Sequence, residues 1–491
     1  MTHTVEKIGG TSMSRVNELV GTLFRNGKDD PYGRIFVVSA FGGITDLLLE
    51  NKKTGDPGVY GQLANASGGY GWHDALSRVA EAMKEAHRAV LSHPGDMAQA
   101  DDFVTERTDG ARNCLIDLQR LCSYGHFRLT DQMLQIRELL SGLGEAHSAF
   151  VTSLLLQREG LEARFVDLSG WRDEGDVTLD ERIHQGMETV DPMTEMPIVT
   201  GYAQCTEGLM REFDRGYSEV TFSRLAALTG ASEAIIHKEF HLSSADPKLV
   251  GANAARKLGH TNYDVADQMS NMGMEAIHPS AAKMLRQADV PLRVTNAFEP
   301  GDPGTLIDDQ PAETPAVEMV TGLDIIALEL FEQDMVGVKG YDATILEVLT
   351  RHNVRIVSKT SNANTITHYL DAPLKVMRRV EKDLTERYPS ASVSARPLAM
   401  ASVIGRDLSG LSVLTDGLVA IAEAGMAARG ASQGPRHVDV QFILDRDDLR
   451  PVIKALHARF MEGQNTGAKS ATPKAEAGST PEVSEQAKAA A

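Results

Sequence analysis

Thr4-Val5-Glu6-Lys7-Ile8-Gly9-Gly10-Thr11-Ser12 reads as a short strand ending in two glycines and two hydroxyls, with a helical stretch following from about Ser14 to Phe24. Glycines let a backbone approach an anion closely, and a helix N-terminus offers unpaired N–H groups. Lys7 adds a full positive charge beside them. An ordinary β-α turn is the competing reading of the same residues. The chain contains no Gly-x-x-x-x-Gly-Lys-[Ser/Thr] segment and no dinucleotide fingerprint, so a nucleotide would be handled by neither common route.

Outward from this turn, Arg34 to Ala40 is apolar, β-branched and stopped by Gly42-Gly43, as a buried strand would be. Gly55 to Gly71 is rich in small and polar residues and reads as a loop, and Asp74 to Glu159 is mostly helical in pattern. Strands resume at Ala163–Leu168, Pro197–Tyr202, Ala234–His237 and Leu292–Val294, with helical segments between most of them. Such alternation predicts an α/β domain with a mainly parallel sheet covered by helices on both faces, a three-layer arrangement.

The pattern changes at the acidic, proline-containing stretch 308–315. Beyond it come two shorter strand–helix cycles, an approximate repeat of a βαββαβ unit. The expected division is a catalytic domain over 1–307, a linker over 308–315, ferredoxin-like modules over 316–398 and 399–462, and a disordered tail over 463–491. The tail has Val483 as its one larger apolar side chain.

Composition narrows the function. The 491 residues suggest about three domains, and 42% hydrophobic with 24% charged residues is a globular balance. Asp and Glu number 68 against 49 Lys and Arg, a net charge of −19. That mean field disfavours nucleic acid and anionic lipid as partners. The sequence reads as having no run that approaches the roughly 20 apolar residues of a membrane helix, and nothing near Met1 reads as a signal peptide. Cys114, Cys122 and Cys205 are odd in number and widely spaced, which favours a reduced, cytoplasmic setting and offers no metal-ligand set.

Further segments are suited to chemistry. Ser39 and Thr45, in the stretch Val38 to Leu47, follow a strand and precede a helix, although helix capping by Thr45 or Asp46 explains them as well. Arg215, within Phe213-Asp214-Arg215-Gly216-Tyr217-Ser218-Glu219, is suited to a two-pronged grip on a carboxylate or phosphate. A solvated turn with Ser218 as N-cap is the alternative there. His237-Lys238 runs into the hydroxyl-rich turn Ser243-Ser244-Ala245-Asp246-Pro247-Lys248, and Gly144-Glu145-Ala146-His147-Ser148 lies on a helix.

Together these segments resemble the aspartate kinases of the amino-acid kinase superfamily. Lys7–Ser12 is similar to that family's opening Lys-Phe-Gly-Gly-Thr-Ser, and Val37–Leu48 to its Val-Val-Ser-Ala-x-x-Gly-x-Thr-Asp-x-Leu. Gly144, Glu145 and Ser148 match its Gly-Glu-x-x-Ser, and Asp214–Glu219 its Gly-Arg-Gly-Gly-Ser-Asp in part. Ser243–Lys248, Gly273–Pro279, Asn296–Pro300 and Gly304–Ile307 follow in the family's order. The repeat after Pro315 is similar to the paired ACT modules of the same family, so the resemblance covers about residues 4–460.

The resemblance implies transfer of a phosphoryl group from Mg2+-ATP to the β-carboxylate of L-aspartate, a reaction that asks for positioning and charge neutralisation. It implies Lys7 and Glu219 as catalytic residues, and Thr45, Glu145, Arg215 and Ser218 as the aspartate site. Gly9, Gly10, Ser12, His237, Lys238, Ser243, Asp246 and Lys248 would line the nucleotide, and no residue is assigned as a metal ligand. Threonine or lysine is the implied effector and a homodimer the implied assembly. Another amino-acid kinase, or a catalytically dead amino-acid-binding protein, are the rival readings. Departures from the pattern lie on the adenine side: Ser243 where the family has tyrosine, Lys248 where it has arginine, and Glu275 where it often has lysine. Tyr217 and Glu219 also replace a glycine and an aspartate. These departures, with the acidic balance, resemble the specialised branch associated with ectoine synthesis.

Overall fold

The computed structural model describes residues 2–25, 30–65, 71–173, 175–213, 216–274 and 277–462. Asp214, Arg215, Glu275 and the expected tail 463–491 lie outside the described residues.

The first sheet is built from β1 (Thr4–Ile8), β2 (Arg34–Val38), β3 (Ala163–Val166), β4 (Met196–Thr200), β5 (Glu233–Lys238), β6 (His260–Asn262), β7 (Leu292–Asn296) and β8 (Thr305–Asp308). Their order is β3-β4-β2-β1-β5-β7-β8-β6, parallel throughout except for the antiparallel pair β7 and β8. All five residues of β2 and of β4 are buried, which requires helices on both faces of the sheet. The chain builds to one side of β1 through β2 and then crosses to the other through β5. Crevices beyond the carboxyl ends of strands at such a reversal are where α/β sheets bind ligands.

Two expectations change. The stretch read as a loop contains a helix, Val59–Asn65, because Val59 and Leu63 one turn apart are buried against the core. The short strands β6 and β8 carry too few residues for a recognisable period. The Leu129–Arg158 stretch also corrects the expectation about apolar runs: by length and composition it could cross a membrane. Here 83% of its most apolar window is buried inside the protein, as in the core helix of a folded domain.

The second sheet is antiparallel and six-stranded: β9 (Met319–Phe331), β10 (Arg355–Ser361), β11 (Thr365–Asp371), β12 (Ser392–Ile404), β13 (Gly430–Gln433) and β14 (Asp439–Leu444), in the order β10-β11-β9-β12-β14-β13. β9 and β12 pair along their full 13-residue lengths. The later half of β9 and the earlier half of β12 belong to one βαββαβ unit, with β10 and β11. Residues 319–324 of β9 and 399–404 of β12 belong to the other, with β13 and β14. The expected division at 398/399 therefore falls inside a continuous strand. The second unit takes its fourth strand from residues that precede the first unit. Pro397, where the sequence suggested a break, is tolerated because β14 begins to pair with β12 only at Ala399, so no ladder hydrogen bond is lost on that side.

Candidate active site

Lys7 is the penultimate residue of β1, and its Nζ lies 3.5 Å from Oε1 of Glu219. Glu219 sits in the first turn of the Tyr217–Thr229 helix, and its Oε2 accepts the His278 N–H at 2.5 Å. Burial would raise the Glu219 carboxyl, but Lys7, then Lys238, then the His278 N–H hold it below the usual glutamate range. This carboxylate is therefore ionised near neutrality.

Glu145 has the opposite character. It projects from the Met133–Arg158 helix, is 2% exposed, and accepts the Tyr217 O–H at 2.5 Å on Oε1. Its Oε2 is buried without a hydrogen-bond partner. Burial pushes its pKa up to about 7, against the opposing pull of Tyr217 and Lys7. Two carboxyls within charge reach of one lysine are thus pushed in opposite directions, the kind of split that marks a site with two jobs for two acids.

The backbone around them is drawn in tightly. A Cβ on Gly10 would meet the Ala40 carbonyl oxygen at 2.7 Å, so the first turn packs on the turn after β2 only as glycine. A Cβ on Gly9 would meet nothing within 4 Å, so its backbone borders open space. Gly201, after β4, lets Ser218 approach: a Cβ there would stand 2.9 Å from the Ser218 Oγ. The Gly42 N–H donates to Ser14 Oγ at 2.9 Å, and Ser148 Oγ donates to the Ser39 carbonyl at 2.8 Å. Thr45 is half-buried in the first turn of the Ile44–Leu48 helix. Ser12 is fully buried, and its Oγ donates to Glu239 at 2.7 Å.

The expected nucleotide residues divide. Lys238 acts on Glu219 through its charge. His237 is turned away from this role: its Nε2 lies 2.7 Å from Glu6 Oε2 and its Nδ1 2.8 Å from Thr295 Oγ1. Glu6 is buried and also takes a two-pronged pair from Arg34, at 2.6 and 2.7 Å. A buried carboxylate requires such partners, and they draw His237 into the sheet. Ser243 Oγ donates to the Ala245 carbonyl, and Asp246 accepts the Lys248 N–H at 2.9 Å as the cap of the Pro247–Val250 helix. Asp246 and Lys248 are both exposed.

Sequence reasoning passed over Tyr217, His278, Glu239 and the Glu6–Arg34 pair. Tyr217 was visible as a bulky residue in place of a glycine, and that was the available signal. His147, beside Ser148, is also held from behind: its Nε2 lies 3.1 Å from His87 Nδ1, and His87 Nε2 3.1 Å from Asp101.

The sequence model of the amino acid kinase family matches residues 3–296. Aspartate kinase Ask_Ect of Stutzerimonas stutzeri is 47% identical over 469 residues, covering 95% of this chain and 98% of that protein. Aspartokinase 1, chloroplastic, of Arabidopsis thaliana is 23% identical, over 93% of this chain and 80% of that one. Among solved structures, E. coli aspartokinase III in complex with aspartate and ADP superposes with a TM-score of 0.69 at 18% identity, over 93% of this chain and 99% of the other. At that identity the likeness concerns the fold alone.

Proposed function

The chain belongs to the amino acid kinase family and within it to the aspartate kinases, and from that premise we propose that the residues around Lys7 phosphorylate the β-carboxylate of L-aspartate with ATP, giving 4-phospho-L-aspartate. The observation that carries this reading is the largely buried Lys7–Glu219 pair at 3.5 Å, within charge reach of the buried Glu145 whose Oε2 has no partner, next to the open space over Gly9. The acceptor carboxylate is itself the nucleophile, so no general base is required. Lys7 neutralises charge on the phosphoryl group in transit, and Glu219 orients the ammonium. Gly9 and Gly10 bring backbone N–H groups to the phosphates, with Ser12 bracing the turn through Glu239.

Aspartate is held by its α-groups. The unpartnered Oε2 of Glu145 fits the α-ammonium, whose arrival favours the ionised carboxylate. Thr45, Ser218 and Arg215 complete the site, with Arg215 on the α-carboxylate by family likeness. Mg2+ carried in with ATP would supply charge neutralisation there, and the Glu219 carboxylate would be the oxygen donor suited to hold it. Ser243, Asp246 and Lys248 lie on the nucleotide side, whereas His237 serves the sheet.

The same reading assigns the two βαββαβ units to regulation and to homodimer formation. Phe331, Val336, Val338 and Leu374 are apolar side chains exposed on the first unit and support such a contact. The turn leading to the Tyr341–Arg351 helix is the proposed effector site. Ser361, at the end of β10, and Asn364, just before β11, belong to the same unit, and Lys359 of β10 pairs with Asp342 at 2.6 Å. The free cysteines are in keeping with a cytoplasmic enzyme, and the likeness to Ask_Ect with a product destined for ectoine. Trapping of an acyl phosphate by hydroxylamine, dependent on both ATP and L-aspartate, tests the activity. Product formed equally without aspartate would reject it.

A further inference from the structure

The chain between β5 and β6 makes a flap whose two arms pair with each other. Ser244 N–H donates to the Arg256 carbonyl at 2.8 Å, Leu258 N–H to that of Leu242 at 2.9 Å, and Ser243 bridges Lys257. Ser243, Asp246 and Lys248 ride on this flap, so the inference rests on the nucleotide-side reading of that segment.

The flap is fastened to the second βαββαβ unit at three points. Leu249 and Val250 pack on the unit's apolar core, which includes Val320, Val452 and Leu456. The Val320 N–H, in β9, donates to the Ser244 carbonyl at 2.8 Å. Ser244 Oγ lies 2.9 Å from Nε2 of His457, which ends the Leu449–His457 helix. Ser244 and His457 are 1% and 0% exposed, so this polar contact is sealed from solvent. Ser244 Oγ also accepts the Arg256 N–H at 2.9 Å, and a hydroxyl with one accepted bond is still able to donate its own proton to His457 Nε2. In that tautomer His457 carries its hydrogen on Nδ1, 3.5 Å from Glu462 Oε1. A neutral imidazole acting as acceptor agrees with its burial.

We propose that His457 is a positioning residue for the nucleotide. Through Ser244 it fixes the inner arm of the flap, so that ATP affinity, and not aspartate affinity, depends on the second regulatory unit.

Steady-state kinetics of the full chain test this with two variants. His457→Leu removes the imidazole partner of the buried Ser244 hydroxyl, which keeps only the Arg256 N–H; the ATP KM should rise about three- to tenfold, with kcat and the aspartate KM within about twofold of wild type. His457→Gln can offer its side-chain oxygen to Ser244 and should recover most of the ATP KM. An unchanged ATP KM in His457→Leu, or equal rises for both substrates, overturns the proposal. Should His457→Leu fail to fold, Ser244→Ala removes the same proton at smaller loss of packing, and the same split between the substrates decides. A wild-type chain without ATP-dependent turnover would overturn the kinase reading itself, and that result appears before any substitution is made.

Discussion

Lys7 Nζ and Glu219 Oε1 stand 3.5 Å apart, one on the central strand and the other on a helix more than two hundred residues later. Both side chains are largely buried, so the lysine is aimed by the carboxylate before any substrate arrives. Replacing Lys7 by alanine should lower turnover by about 10²–10³, on the order of 3–4 kcal/mol of lost transition-state stabilisation. The fold should survive, because Lys238 and the His278 N–H still compensate Glu219. Near-wild-type turnover in Lys7→Ala would remove this residue from the phosphoryl site.

Glu145 gives the enzyme a pH signature. Burial raises its pKa to about 7, and a neutral carboxyl cannot pair with an ammonium. The kcat/KM for aspartate should therefore fall below about pH 7, approaching about tenfold per pH unit, and level off above it. Tyr217→Phe removes a donor that favours the ionised form, so the inflection should move to higher pH. A pH–rate profile for both proteins checks this, and an inflection that stays put in Tyr217→Phe would sever Glu145 from aspartate binding.

Arg34 should matter for stability more than for chemistry. It forms two hydrogen bonds to Glu6 and caps the carbonyls of Leu23 and Phe24 at 2.7 and 3.1 Å. Arg34→Met leaves a buried carboxylate with His237 and the Thr4 hydroxyl but no full countercharge of its own, and should cost about 3–5 kcal/mol. Although burial opposes it, Arg34 and His237 hold the Glu6 carboxyl below its ordinary value. The stability it supplies is therefore fully present above the ordinary glutamate range and is lost as pH falls through the folded value. Denaturation at neutral pH should show the full deficit and denaturation in acid a smaller one; an equal deficit at both would mean the charge pair is not its source.

Threonine or lysine should inhibit the intact enzyme by way of the turn at Gly337–Asp342. Asp342 Oδ1 is buried without a hydrogen bond, 3.3 Å from Nε2 of the fully buried His368. That leaves polar capacity for a ligand ammonium on the Asp342 side. Asp342→Ala should weaken inhibition at least about tenfold, in the range of a lost charge-assisted contact. Full activity with both amino acids at millimolar levels, and no heat of binding in calorimetry, would leave these units a purely structural role.

Local chemistry was legible in the sequence wherever one segment carried it. Lys7-Ile8-Gly9-Gly10 ends a strand and needs no distant partner to declare a tight, cationic turn. The order of the segments from Lys7 to Pro279 was enough to suggest the family, and the βαββαβ repeat showed through its alternating strands and helices. The rest depended on which strands become neighbours. His237 reads as a strand-end residue facing the ligand, yet the placement of β1 between β2 and β5 sets Glu6 and Arg34 beside it, and a buried carboxylate claims the imidazole. Tyr217 looked like a defect in a glycine motif until the fold brought Glu145 within 2.5 Å of its hydroxyl. The two βαββαβ units looked consecutive, whereas pairing of β9 with β12 along their whole lengths nests one inside the other. Sequence by itself determined the turns, the periods and the residue types at the site. Tertiary structure alone decided protonation states, side-chain allegiance and strand sharing, because each is set by burial and by partners that sequence distance does not reveal.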